Sequence, residues 1–333
     1  MRVAIVRLTA MGDIIHTLAA LQFVKKAKPD TEITWFVEEK FAGILQHNPD
    51  IAKVVPVNLH RFKNSFSLPA LKEEFAKVKE AGEFDMVIDV QGLIKSAFLA
   101  RIAGKNVIGL DYASAKEGVA SFMYSRRFAV DCAQTAPYRF ASLISKALET
   151  EISKEMLLHK DPYLYFKKDS ECEELSGWFS NMKKNILIVT AASNESKTYP
   201  PEKFAEVAKR LESNNILLIA GNDKERESAK KIERSSGAKL LPSMSLNALK
   251  YVVSRCDLLI GGDTGPSHMA WAMNRPSLLL FGSTPRSMMM ETPINIAVTS
   301  GAKVHPCRFD KKDRSIRSIE PAKVASQALG LLS

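Results

Sequence analysis

The sequence predicts an α/β protein with two doubly wound domains that face each other across a cleft. Its 333 residues suit two domains of about 150 residues better than one. Short β-branched runs alternate with amphipathic stretches along the whole chain, which is typical of βα units on parallel sheets. The alternation breaks between residues 150 and 170, where charged residues, a proline and two tyrosines occur, and then restarts.

In the first half, four apolar runs predict strands, and the amphipathic stretch after each run predicts a helix. Runs this apolar indicate strands that are buried on both faces of a parallel sheet. The pairs are VAIV (3–6) with a helix from Asp13, EITWFV (32–37) with EKFAGILQH (39–47), VVPV (54–57) with LPALKEEFAKVKEAG (68–82), and FDMVIDV (84–90) with IKSAFLARIAG (94–104).

The second half repeats this rhythm. Strands are predicted at NILIVT (185–190), NILLIAG (215–221), DLLIGG (257–262) and PSLLLFG (276–282), and helices at PEKFAEVAKRLES (201–213), KERESAKKIER (224–234), LNALKYVVSRC (246–256) and GPSHMAWAM (265–273). We therefore expect a first domain at 1–160 and a second at 161–315. The final segment, 316–333, predicts one more helix that returns to the first domain.

The formal net charge of +10 indicates an anionic partner: nucleic acid, an acidic membrane surface or a phosphorylated substrate. The basic residues are spread along the chain, and neither an aromatic RNA-binding motif nor zinc-finger spacing occurs, so no nucleic-acid partner is expected. The four cysteines form no CxxC pair and indicate no zinc site. No apolar stretch reaches the ~20 residues of a transmembrane helix, and the start of the chain lacks a signal peptide, so a cytoplasmic protein is predicted.

The strongest local signal is LLIGGDTGPSHMAWAM, residues 258–273. Two glycines end a predicted strand, and Pro266 occupies a first helical position, so the stretch predicts a strand, a tight turn and an exposed helix N-terminus. Backbone N–H groups at Thr264, Gly265 and Ser267 would favour an anion such as a diphosphate there. Ordinary helix capping by Asp263 or Thr264 is the alternative, but His268, one turn beyond Thr264, points to a larger site.

Neighbouring loops leave the carboxyl ends of parallel strands, the edge at which open α/β sheets bind ligands. The loop at 191–204 contains Ser193 and Lys197, and Lys197 is a candidate diphosphate cation. Glu225 is a candidate partner for ribose hydroxyls, and Met244 is a candidate contact for a base.

Asp13 follows the first predicted strand at the equivalent position of the first domain. It is either an N-capping residue or a general base that takes a proton from an acceptor hydroxyl. In the second case, Gly12 lets the acceptor approach the backbone closely. No GxGxxG, GxxxxGKS or GxxxxGKT pattern occurs, which excludes the common dehydrogenase and P-loop classes.

Four stretches, in order, resemble the lipopolysaccharide heptosyltransferases of glycosyltransferase family 9. They are MGDIIHTLAAL (11–21), WFVEEKFA (35–42), DVQGLIKSA (89–97) and GGDTGPSHMAWAMNRPSLLLFGST (261–284). The first and third of them resemble type I heptosyltransferases more than type II heptosyltransferases. The resemblance implies the GT-B fold, an ADP-heptose donor in the second domain, a Kdo-lipid A acceptor and inversion at the anomeric carbon. No cofactor or metal is expected. Fixed cations can stabilise the leaving phosphate in place of a metal ion, and the sequence has no Asp-x-Asp motif of the kind that holds one.

Matched by position, Asp13 corresponds to the family's proposed base. The donor-binding residues implied are Ser193, Lys197, Glu225, Met244, Asp263, Thr264, Gly265 and His268. The candidate acceptor-binding residues are Gly12 and the basic residues available to an anionic acceptor, Arg61, Lys63, Lys116 and Arg139. The chain departs from the family pattern at Ala192 and Ser193, which replace threonines, and at His60 and Lys116, which replace arginines.

Basic residues of the first domain, at 61, 63, 126, 127 and 139, predict reversible docking on the anionic cytoplasmic face of the inner membrane. The oligomeric state is not predicted. Two rival interpretations are another nucleotide-sugar enzyme, such as a type II heptosyltransferase or an epimerase of similar shape, and a two-lobed nucleotide-sugar-binding protein that needs no base.

Overall fold

The computed structural model describes residues 1–59, 68–190, 192, 194–307 and 310–333. These residues form two compact units, Met1–Tyr165 and Phe166–Ser333. The division falls inside the segment where the sequence alternation breaks, five residues after the boundary placed at 160. Among the described residues, no helix is both long enough and apolar enough to cross a bilayer.

The first unit contains a parallel sheet of six strands, in the order β3-β2-β1-β4-β5-β6. The strands are β1 (Arg2–Val6), β2 (Glu32–Glu38), β3 (Lys53–Val57), β4 (Met86–Asp89), β5 (Val107–Leu110) and β6 (Arg126–Phe128). The helices are α1 (Met11–Leu18), α2 (Leu21–Ala27), α3 (Ala42–Leu45), α4 (Leu68–Glu80), α5 (Ile94–Ala103), α6 (Ala136–Leu148) and α7 (Lys154–Leu158).

The second unit repeats this topology, with strand order β12-β11-β10-β7-β8-β9. Its strands are β7 (Asn185–Val189), β8 (Asn215–Ile219), β9 (Lys239–Leu240), β10 (Leu258–Gly262), β11 (Ser277–Phe281) and β12 (Asn295–Thr299). Its helices are α8 (Ser170–Ser176), α9 (Pro201–Arg210), α10 (Asp223–Ser236), α11 (Leu246–Arg255), α12 (Gly265–Ala272) and α13 (Pro321–Leu332).

Strand order reverses at one place in each sheet, and open α/β sheets commonly bind ligands beside such a place. In the first unit β1 pairs with β4, aligning Val6 with Asp89, and in the second β7 pairs with β10, aligning Val189 with Gly261. The chain leaves β1 and β4, or β7 and β10, toward opposite sides, which opens a crevice at their carboxyl ends. Asp13 follows β1 and Lys197 follows β7, so the topology brings each to such a crevice.

The eight strands predicted from the apolar runs are all present, and four further strands, β5, β6, β9 and β12, were not predicted. β6 contains two exposed arginines, Arg126 and Arg127, and β9 has only two residues, so neither presents an apolar pattern. β5 includes Gly109, which the Tyr124 ring packs against directly. Helices α6 and α7 were also not predicted.

The C-terminal helix exists where the sequence predicts it, and within the second unit it packs on the core of that unit. Val324, Ala325 and Ala328 of α13 join the core cluster that includes Phe204 of α9. The Tyr199 hydroxyl donates a hydrogen bond of 2.8 Å to the Ile319 carbonyl just before α13. The apolar face of α13 is therefore used in completing the second core.

Candidate active site residues

The turn from β1 to α1 places Asp13 in the first turn of the helix. Ala10 is the N-cap of α1, and no side chain caps this helix. Asp13 is therefore three residues past the cap, so the interpretation of Asp13 as an N-capping residue is wrong. A carboxylate in a first helical turn is favoured by the helix dipole, but it is free to make other contacts.

Arg7 and Asp13 form an ion pair between Nη2 and Oδ2. The Arg7 side chain is buried, whereas the Asp13 side chain is 28% exposed. Arg7 also donates through Nη1 to the Val90 carbonyl at 2.8 Å and lies over the Phe140 ring at 4.4 Å, so its position is fixed. No described residue donates a hydrogen bond to Oδ1 of Asp13, which leaves that oxygen available to a substrate proton.

Arg139 lies beside this pair on α6. Burial lowers the pKa of Arg139, and the neighbouring Arg7 charge acts in the same direction, while the carboxylates of Asp13 and Asp131 oppose the shift. Its guanidinium lies 5.7 Å from the Phe140 ring centroid. Arg139, predicted to bind the acceptor, is thus brought close to Asp13.

Gln91 holds the turn that leads into α1. Its side-chain oxygen accepts hydrogen bonds from the backbone N–H groups of Leu8 at 2.7 Å and Thr9 at 3.1 Å. Its amide nitrogen donates to Thr9 Oγ1 at 3.3 Å. Because Gln91 follows β4, these bonds tie the two central strands together where Asp13 emerges.

A buried carboxylate, Asp89, fixes Gln91 in turn. It accepts hydrogen bonds from the Gln91 N–H at 2.9 Å, the Ser96 hydroxyl at 2.8 Å and the Tyr124 hydroxyl at 2.8 Å. Burial raises the pKa of Asp89 in spite of these donors. With all of these bonds satisfied inside the unit, Asp89 is a supporting residue behind Gln91.

In the second unit, Lys197, Asp263 and His268 form one cluster. Lys197 Nζ lies 2.6 Å from Asp263 Oδ2, and His268 Nε2 lies 2.9 Å from Asp263 Oδ1. Since an ionised carboxylate only accepts hydrogen bonds, the His268 nitrogen is the donor. The Lys197 side chain is 19% exposed, against 4% for Asp263 and 3% for His268, so the lysine is the most accessible member of the cluster.

The pKa of Asp263 reflects this arrangement. Burial, the largest single influence, favours the protonated form. The hydrogen bond from His268 and the charge of Lys197 outweigh it and hold the pKa well below its ordinary range. Asp263 is therefore a carboxylate that orients two cationic or donor groups, and it is not placed to act as a proton carrier.

The first turn of α12 has no hydrogen bond from an N-cap side chain. Thr264 is the N-cap, but its side chain caps no helix N–H group; its hydroxyl lies 3.0 Å from the Ser267 hydroxyl. The capping alternative for Asp263 and Thr264 is thereby wrong. The glycines before them are required for space, because a Cβ on Gly262 would lie 2.6 Å from the Lys197 carbonyl oxygen.

Glu225 and Met244 follow β8 and β9 at the same edge of the sheet. Glu225 accepts hydrogen bonds from the Gly221 N–H and the Asn222 side-chain amide, both at 2.7 Å. It thereby fixes the start of α10, while each carboxylate oxygen keeps a second lone pair for a hydroxyl donor. Met244 is half-buried in the loop before α11.

The remaining predicted residues are placed as follows. Gly12 lies in α1 beside Asp13, and Lys116 is exposed in the loop after β5. Ser193, Arg61 and Lys63 lie outside the described residues.

Sequence reasoning missed Arg7, Gln91 and Ser283. Ser283 follows β11 and donates a hydrogen bond of 3.0 Å to the Ser196 carbonyl, beside Lys197. A signal existed for each: all three are polar residues immediately after an apolar run that predicts a strand.

Comparison with known proteins agrees with this geometry. Residues 74–315 match the family described as glycosyltransferase family 9 (heptosyltransferase). The chain belongs to this family. It is 36% identical to lipopolysaccharide heptosyltransferase 1 of Campylobacter coli, with 96% of each chain covered.

Two solved structures of the Escherichia coli heptosyltransferase WaaC are similar over the whole of both chains. The structure with ADP has a TM-score of 0.80 at 26% identity, and the structure with ADP-2-deoxy-2-fluoro heptose has a TM-score of 0.77 at 27% identity. The predicted GT-B architecture, the family resemblance and the assignment as a heptosyltransferase of lipopolysaccharide synthesis are confirmed. The rival interpretation as a non-enzymatic binding protein is set aside.

Proposed function

We propose that this heptosyltransferase moves L-glycero-D-manno-heptose from ADP-heptose to a Kdo residue of Kdo-lipid A, with inversion at the anomeric carbon. The observation that carries the proposal is the Lys197–Asp263–His268 cluster at the open N-terminus of α12. That arrangement suits a nucleotide diphosphate, and the relative with 36% identity is a lipopolysaccharide heptosyltransferase 1.

The second unit supplies the donor site. Departure of ADP develops negative charge on the β-phosphate, and Lys197 and the N–H groups at the start of α12 are placed to stabilise it. Asp263 and His268 hold Lys197 and the turn, and Asp263 is also proposed to contact the donor heptose. Glu225 would accept hydrogen bonds from ribose hydroxyls, with Met244 near the adenine and Ser193 at the phosphates.

The first unit supplies the base. Oδ1 of Asp13 takes the proton from the attacking Kdo hydroxyl as the oxygen forms its bond to the anomeric carbon and the bond to ADP breaks. Arg7 holds the other carboxylate oxygen, so the base has one orientation. Fixed cations and helix N–H groups stabilise the charge on the leaving group, so the reaction is proposed to need neither a metal nor a cofactor.

The acceptor is anionic, and its proposed ligands are basic. Arg139 lies beside Asp13 and suits a Kdo carboxylate, with Gly12, Arg61, Lys63 and Lys116 as further candidates. Because such an acceptor is held in a bilayer, we propose that the protein acts at the cytoplasmic face of the inner membrane, attracted by its net charge of +10.

Mass spectrometry of Kdo-lipid A incubated with the protein and ADP-heptose tests the proposal. The acceptor is expected to gain one heptose. ADP-heptose with an acceptor that already carries the first heptose serves as the type II control and is expected to give no product. Product only from the second acceptor, or only from another nucleotide sugar, would contradict the proposal.

A further inference from the structure

Five exposed apolar side chains lie together in one part of the first unit. They are Ile94, Phe98, Tyr112, Val119 and Phe122, here called the apolar patch, and Tyr112 and Phe122 are 63% and 68% exposed. The other large exposed hydrophobic residues of the described chain are scattered from Met1 to Leu329. Single exposed apolar residues are ordinary on soluble proteins, whereas a cluster indicates a contact surface.

Specific contacts make the apolar patch continuous. The Tyr112 and Phe122 rings lie 6.0 Å apart between centroids. Glu117 joins the loop after β5 to the start of α5, because its carboxylate accepts a 2.7 Å hydrogen bond from the Ile94 N–H. Val119 and Phe122 belong to the short turn Gly118–Met123 that packs on α5, where Ile94 and Phe98 are one helical turn apart.

The surroundings of the apolar patch are basic. The exposed Lys95 follows Ile94 on α5, and the exposed Lys116 lies between Tyr112 and Val119 in the sequence. The Arg127 guanidinium lies 5.9 Å from the Phe122 ring. An apolar centre with a basic rim is the pattern of surfaces that lie in the interface of an anionic bilayer.

A second copy of the chain fits this surface less well. In a two-fold symmetric dimer the same surface meets itself, so the basic rims would face each other. An anionic lipid surface complements both parts of the patch, with headgroups at the rim and acyl chains at the centre.

We propose that the apolar patch inserts into the anionic bilayer that holds the acceptor lipid. The patch begins at the carboxyl ends of β4 and β5, the sheet edge at which Asp13 emerges from the neighbouring β1. A lipid-linked sugar would thereby reach Asp13 while its acyl chains stay in the membrane. This inference rests on the proposed acceptor being a lipid, and it adds an apolar contribution to the attraction by charge.

Sedimentation with vesicles separates the two contributions. Vesicles of phosphatidylcholine mixed with phosphatidylglycerol are used at about 0.05 M and about 0.5 M salt, since high salt screens exposed charges. We expect wild type to retain vesicle binding at high salt. In a Val119→Ser/Phe122→Ser variant, the affinity for vesicles at high salt is expected to fall about tenfold or more. Met182→Ser, at a 94% exposed residue of the second unit, is the matched control and is expected to bind like wild type.

Transfer to a water-soluble Kdo acceptor without acyl chains is measured in parallel and is expected to be the same in the variant and wild type. Equal vesicle binding by the variant and wild type, or no vesicle binding by wild type, would overturn the inference. Wild type could also form a dimer that the double substitution dissociates, while vesicle binding stays unchanged. That result would overturn the inference and show that a second copy of the chain covers the apolar patch. Failure of wild type to use the soluble acceptor would contradict the proposed function and leave the vesicle result unaffected.

Discussion

Lys197 and Asp263 form an ion pair with 2.6 Å between Nζ and Oδ2, although 66 residues separate them. They meet because β7 and β10, which precede them, are neighbours at the point where the strand order of the second sheet reverses. The lysine is the more exposed partner, so its charge is the more accessible of the two.

Replacing Lys197 tests the donor site. Lys197→Ala should weaken ADP binding by roughly 1.5–3 kcal/mol, about 10- to 100-fold, because a charge-assisted hydrogen bond to phosphate is lost. Isothermal calorimetry with ADP is the measurement. Lys209→Ala, at an exposed lysine of α9, is the control and should bind ADP normally. Unchanged affinity in Lys197→Ala would remove this lysine from the diphosphate site.

The Asp263 carboxylate should make stability depend on pH. Its pKa is lower in the folded protein than in the unfolded chain, so its stabilising contribution is complete above the unfolded value of about 3.9 and is lost as the pH falls below it. The difference between the thermal midpoints of wild type and Asp263→Asn should therefore be largest near neutral pH and shrink progressively as the pH falls below about 4. A difference that stays constant with pH would show that the ion pair contributes no such dependence.

Gln91 should act on catalysis through the turn before Asp13. Gln91→Leu leaves the N–H groups of Leu8 and Thr9 without their acceptor, at a cost of about 1–3 kcal/mol for each buried group. The thermal midpoint and kcat should both fall, with ADP affinity unchanged. Gln91→Glu keeps an acceptor oxygen and should recover much of kcat, whereas a merely structural role would lower stability without this recovery.

The sequence was sufficient to predict the βα rhythm and the glycine turn at 261–262, because each follows from local patterns. The roles of Lys197, Asp263 and His268 in binding the donor stay predictions. It did not predict that Asp13 pairs with Arg7, or that Gln91 holds Thr9 from 82 residues away. Such contacts depend on strand order, and the apolar runs do not specify strand order. The apolar face of an amphipathic helix such as α13 likewise does not specify which core it completes.

Asp13→Asn tests the central claim, that Asp13 is the base of the heptosyl transfer. Asn retains the shape of the side chain and removes the proton acceptor, so the single-turnover rate of heptose transfer should fall by ~10²-fold or more. The thermal midpoint should fall only by roughly 2–6 °C, since Arg7 loses its ionised partner but keeps the Val90 carbonyl. ADP affinity should not change, and Asp30→Asn, at an exposed aspartate of the same unit, should transfer heptose like wild type. A folded Asp13→Asn protein with near-normal single-turnover transfer would contradict the assignment of Asp13 as the base.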